Sequence, residues 1–126
     1  MRMLALATLV VLAGDARATE PDPLAALKDA GAECDAQRAH CIGIHLHVAA
    51  DGSGLVVDAE WIARSLATAH RQFGPIDVDF KIVAIDKLPA SQVHIETRAD
   101  RDHLAAGKLV GKVIHVFLVG KLDDFE

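Results

Sequence analysis

Three histidines are the residues whose type and spacing could do chemistry. His45 and His47 stand two apart in "CIGIHLHV", so on an extended strand their imidazoles point the same way, about 7 Å apart. His115, in "KVIHVFLVG", reaches them if its strand lies beside theirs. Three neutral imidazoles with a fourth position open make a catalytic zinc site, where bound water ionises near neutral pH. The simpler reading is two polar residues on a partly covered face and one hydrogen-bonded core histidine. No carboxylate stands at an obvious supporting position in the sequence. No metal ligand is therefore expected, and a site of His45, His47 and His115 is the alternative.

Other reactive groupings are weaker. Asp77/Asp79, Asp100/Asp102 and Asp123/Asp124 read as solvated faces and termini, since paired carboxylates act only where a pocket shifts their pKa values. Ser53 sits between two glycines with no helix beginning at it, unlike a nucleophile elbow. "DGSGLV" lacks the glycine and lysine spacing of a phosphate loop. No catalytic residue and no cofactor site follow from these segments.

The elements that position the histidines are better defined. Ile42, Ile44, Leu46 and Val48 fall on one face of a strand, with Gly43, His45 and His47 on the other. "AADGSG" breaks it with turn residues. Asp58 is a good N-cap for a helix in which Ile62, Leu66, Ala69 and Phe73 form an apolar stripe, and Gly74-Pro75 stops it. Leu66 and Phe73 are expected to be buried. Ile76, Val78, Phe80 and Ile82 then alternate with Asp77, Asp79 and Lys81, a strand with a solvated charged face. A helix between two strands implies a parallel pair with a right-handed crossover. Thr97 with Asp100 resembles a capping box for a brief helix ending at Gly107. Val113–Val119 is apolar on both faces, as a central parallel strand covered by helices should be.

The beginning of the chain reads as an export signal. Arg2 precedes the apolar run "MLALATLVVLAG", too short to span a bilayer comfortably, and Ala16-Arg17-Ala18 is an A-x-A cleavage site. The mature chain is expected to begin at Thr19, in the periplasm or outside the cell. In that oxidising setting Cys34 and Cys41 are expected to pair, closing a small loop worth about 2.5 kcal/mol. A zinc pair with neighbouring His40 is the rival, but its spacing exceeds the C-x₂₋₄-C of structural sites. A helical preamble, N-capped by Asp22 with Pro23 in its first turn, shares residues 19–41 with that loop. Residues 42–126 form the α/β domain, expected to be a small three- or four-stranded, mostly parallel sheet with one main crossover helix. The formal net charge is −5, and removing Arg2 and Arg17 against Asp15 leaves a still more acidic chain. That argues against nucleic acid or an anionic membrane surface as the partner.

The segments "IGIHLHVAADG", "VDAEWIARSLATAHRQFGPIDVDFKI" and "KVIHVFLVGKLDD" resemble the front half of a secreted, metzincin-type bacterial zinc protease of the pappalysin-like kind. The resemblance covers roughly residues 42–126. In that family zinc is held on a later helix, H-E-x-x-H-x-x-G-x-x-H, followed by a Met-turn. This sequence contains no H-E dipeptide, so no catalytic residue carries over. The resemblance implies an exported, catalytically incomplete N-terminal segment from a truncated or split reading frame, with a missing C-terminal half as its partner. It also implies that the last strand lacks a neighbour, leaving an apolar edge. The alternatives are a periplasmic binding or inhibitory module on the same scaffold, or a small zinc hydrolase using His45, His47 and His115.

Overall fold

The computed structural model describes residues 22–123. The expected signal segment and Thr19 lie outside them. Helix α1 (Pro23–Asp29) begins as expected, with Asp22 accepting a hydrogen bond from the Leu24 amide and Pro at the start. It ends one residue before Gly31, at Ala30. Strand β1 (His40–Val48) follows a loop closed by the Cys34–Cys41 disulfide, whose Cα atoms are 6.0 Å apart. A short antiparallel hairpin, β2 (Ala50–Asp51) with β3 (Gly54–Leu55), uses the "DGSG" turn, where Asp51 accepts from the amide and hydroxyl of Ser53.

Helix α2 (Ala59–Phe73) is capped by Asp58, whose side chain accepts from the Trp61 amide, and it gives way at Gly74 to a 3₁₀ turn over Gly74–Ile76. Asp77 then adopts a left-handed conformation (φ 63°) that turns the chain into β4 (Val78–Lys87). A 3₁₀ turn, Ala90–Gln92, leads to β5 (His94–Ile95). The Thr97/Asp100 capping box is present at the start of α3 (Arg98–Ala105). Strand β6 (Ile114–Leu118) and the short β7 (Lys121–Leu122) complete the described chain.

The fold is α/β, built on a three-stranded sheet of order β4-β1-β6 in which both pairings are parallel. A separate two-stranded pairing joins β5 to β7, also in parallel. The sequence suggested a central position for the last long strand. Instead β1 is central, and β6 pairs on one side alone among the described residues. Val116 and Leu118 of β6 pack in part against the core on one side of the sheet and Phe117 on the other, while Ile114 is exposed.

Two cores lie on opposite faces of this sheet. Leu46, Val48 and Ile82 meet Leu27 of α1 and Ile62 of α2 on one face. On the other, Leu88, Ile95 and Leu104 of α3 gather with Ala49, and Phe117 packs against them. Ile62 is the buried residue of the α2 stripe. Leu66 is half-buried and Phe73 is 40 % exposed, contrary to the expectation for both. Phe73 lies at the end of the helix, edge-on to Phe80 at 5.1 Å, where no further layer covers it.

The expected charged face of β4 is corrected too. Asp79 is 7 % exposed. Its carboxylate accepts the amide of Asp35 (2.7 Å) and of Phe80 (2.9 Å), and its Oδ1 lies 3.3 Å from Nδ1 of His70 on α2. It ties the disulfide loop, the crossover helix and the strand together. Burial alone would raise its pKa, but the Asp35 and Phe80 amides and His70 outweigh that and hold it below the ordinary carboxylate value.

Candidate metal centre

Strand register brings the three histidines together. His45 of β1 is directly paired with His115 of β6, and His47 with Phe117, so all four rings share the face away from α2. The His45 and His47 rings stack at 4.2 Å, His45 and His115 are 5.1 Å apart, and His47 and His115 are 5.3 Å apart. Phe117 stacks on His47 from the other side at 4.5 Å, nearly parallel. One ligand nitrogen from each of His45, His47 and His115 lies within 4.8 Å of the other two.

A carboxylate joins them, which the sequence did not reveal. Along β1 and β4 the pairing runs Ile44 with Ile82 and then His45 with Ala84, so Val83 is an extra residue in β4. A bulge of one residue reverses which side chains face which way. Ile82 and Ile85 consequently both pack on the core side, and Asp86, paired with His47, is delivered to the histidine face. Its Oδ2 lies 2.6 Å from His45 Nε2 and 3.8 Å from His47 Nδ1. Gly43 sits where Val83 and Val113 close over β1. A Cβ there would meet their methyl carbons at 3.1 and 3.2 Å, so this position has no room for a side chain without movement.

The remaining hydrogen bonds set the tautomers. His115 Nε2 donates to the Val110 carbonyl at 2.9 Å, which leaves Nδ1 as a lone pair. His47 Nε2, 3.0 Å from that Nδ1, is then the donor between the two rings. His47 is 2 % exposed, and its pKa is lowered, first by burial and then by neighbouring His45, against the opposing pull of Asp86. It is a neutral imidazole at neutral pH, the form that binds metal. His45 and Asp86 open the cluster to solvent, with side-chain exposures of 17 % and 61 %.

A second group of possible ligands, His94, Glu96 and Asp123, is arranged differently. Glu96 lies 3.2 Å from Nδ1 of His94 and Asp123 lies 3.0 Å from Nε2, so carboxylates flank both ring nitrogens. The Lys121 ammonium is already 3.0 Å from Asp123. This is a closed ion-pair network, with its own cation in place.

On the α2 side of the sheet an apolar groove runs between the helix and β6. Ile44, Leu46, Trp61, Leu66, Val116 and Leu118 line it. Trp61 is 41 % exposed. No helix among the described residues is long and apolar enough to cross a membrane.

No protein-family model matches this chain, and no curated protein or solved structure is detectably similar to it. The metzincin zinc helix finds no fit in these residues: the sequence has no His-Glu dipeptide, and the three clustered histidines stand on strands.

Proposed function

We propose that this chain is the exported front part of a metzincin-like metallopeptidase and hydrolyses no peptide by itself. The observation that carries the reading is the groove between α2 and β6. A parallel strand normally has both faces covered, because a crossover helix lies on each side or beside its neighbour. Here Val116 and Leu118 of β6, with Trp61 and Leu66 of α2, present apolar surface on the inner side of an edge strand. An apolar lining of this kind is what the apolar stripe of an amphipathic helix packs against. The family that these strands resemble carries its zinc ligands on a helix later in the chain, and the reading assigns such a helix to this groove.

The disulfide fits an oxidising compartment, and export accounts for the N-terminal apolar run. The direct test reads the nucleotides that follow the codon for Glu126. An H-E-x-x-H within the next few hundred bases, in any frame, is the expected result. Its absence there, or casein cleavage by the purified chain alone, overturns the reading.

The histidine cluster favours a second role, binding of a metal ion on the opposite face, which does not depend on the protease reading.

A further inference from the structure

We infer that His45, His47 and His115 form a binding site for a late first-row divalent cation such as zinc, supported by Asp86. Three imidazoles are the donor set such ions prefer, and hard cations such as magnesium and calcium prefer oxygen donors. What raises the cluster above a chance meeting of polar rings is the way each ring is held. A metal-binding imidazole usually gives its second nitrogen to a carboxylate or a backbone carbonyl, which fixes its orientation. His45 has Asp86 at 2.6 Å on Nε2, leaving Nδ1 for the metal. His115 has the Val110 carbonyl at 2.9 Å on Nε2, leaving Nδ1. His47 is clamped between the His45 and Phe117 rings.

The cation takes the place of the hydrogen bond between His47 and His115. Their facing nitrogens are 3.0 Å apart, and two nitrogens on one tetrahedral zinc stand about 3.3 Å apart. A slight opening of the two rings therefore suffices. His47 would coordinate through Nε2 and carry its ring proton on Nδ1, the nitrogen 3.8 Å from Asp86. His45 and Asp86 are the exposed members of the cluster, through which a bound cation would meet solvent. The bulge at Val83 gives the site its carboxylate, since an unbroken alternation through Val83 would turn Asp86 to the apolar core.

The cluster is separated from the apolar groove by the thickness of the sheet. It can therefore hold a metal whether or not the groove receives a helix.

The test uses the full chain without a polyhistidine tag, stripped with a chelator and titrated with zinc chloride by calorimetry. One zinc per chain with micromolar or tighter affinity is expected. His45→Ala and His115→Ala, at partly exposed positions, should each weaken it by at least tenfold, and Asp86→Asn by about ten- to a hundredfold. Because a variant could fail to fold, the unaltered chain is also followed by NMR. Zinc should shift the ring Cε1–H signals of His45, His47 and His115 and leave those of His70, His94 and His103 in place. Millimolar or absent binding, or shifts confined to the other histidines, overturns the site. So does affinity unchanged in folded His45→Ala and His115→Ala.

Discussion

His45 Nε2 and Asp86 Oδ2 are 2.6 Å apart although the residues lie on different strands and an unbroken alternation would put Asp86 on the opposite side of the sheet. The contact exists because β4 carries one residue more than β1 between Ile82 and Ala84. Val83 absorbs the change of phase, with its side chain 38 % exposed and close to Gly43. The same residue serves packing: Ile82 before it and Ile85 after it both contribute to the α2-side core.

Removing Val83 should therefore leave both arrangements in place. Ile82, Ala84, Ile85 and Asp86 then alternate without a break, which keeps Ile82 and Ile85 on the core side and Asp86 opposite His47. The Val83 deletion variant should keep a cooperative urea transition. Loss of that transition would show that the fold needs the bulge itself and not only the phase that it sets.

Local signals were legible in the sequence wherever a short window carried them. The alternation in β1 correctly divided Ile44, Leu46 and Val48 from His45 and His47, and the caps at Asp22, Asp58 and Thr97 all act as their spacing implies. Long-range placement was not legible. Asp79 looks like its neighbour Asp77 in the sequence, yet it is buried because the amide of Asp35, forty-four positions away, reaches it. The approach of His115 to His45 depends on β6 being the neighbour of β1, and that of Asp86 on an inserted residue whose type, valine, is ordinary in a strand. Phe73 continues the stripe of α2 past the end of the layer that would cover it.

Burial divides the stripe of α2 energetically as well. Ile62, 3 % exposed among Leu27, Leu46 and Ile82, should cost about 2–5 kcal/mol when replaced by alanine. Leu66→Ala should cost less, because its side chain already borders the open groove. Denaturant midpoints of the two variants check the order. Equal or reversed losses would mean that the core is not centred on Ile62.

Asp79 predicts an acid-sensitive joint. Its folded pKa is lowered, so its contribution is fully present above the ordinary carboxylate value of 3.8 and is lost as pH falls through the folded value. Asp79→Asn should be less stable at pH 7 by about 1–3 kcal/mol, since His70 and one amide lose their charged acceptor. The difference between variant and parent should shrink below pH about 4. Thermal melts of both proteins from pH 7 to 3 decide it, and a constant difference would contradict the assignment.

The disulfide should resist alkylation in exported material, with no reaction at Cys34 or Cys41 until a reductant is added. Replacing both by serine should cost about 2.5 kcal/mol, the loop-closure entropy released to the unfolded chain. Two thiols alkylated without reductant would show that the bridge does not form in the exported protein.

Trp61 offers the most direct measurement of whether the groove is the seat of an absent helix. It is the one tryptophan of the chain, and no tyrosine is present to obscure it. It lines the groove at 41 % exposure, so its emission should be that of a partly hydrated indole. If the reading frame continues into an H-E-x-x-H segment, a chain extended through it should emit at shorter wavelength with less iodide quenching, as the added helix covers the ring. Unchanged emission and quenching in the folded, extended protein would contradict the account.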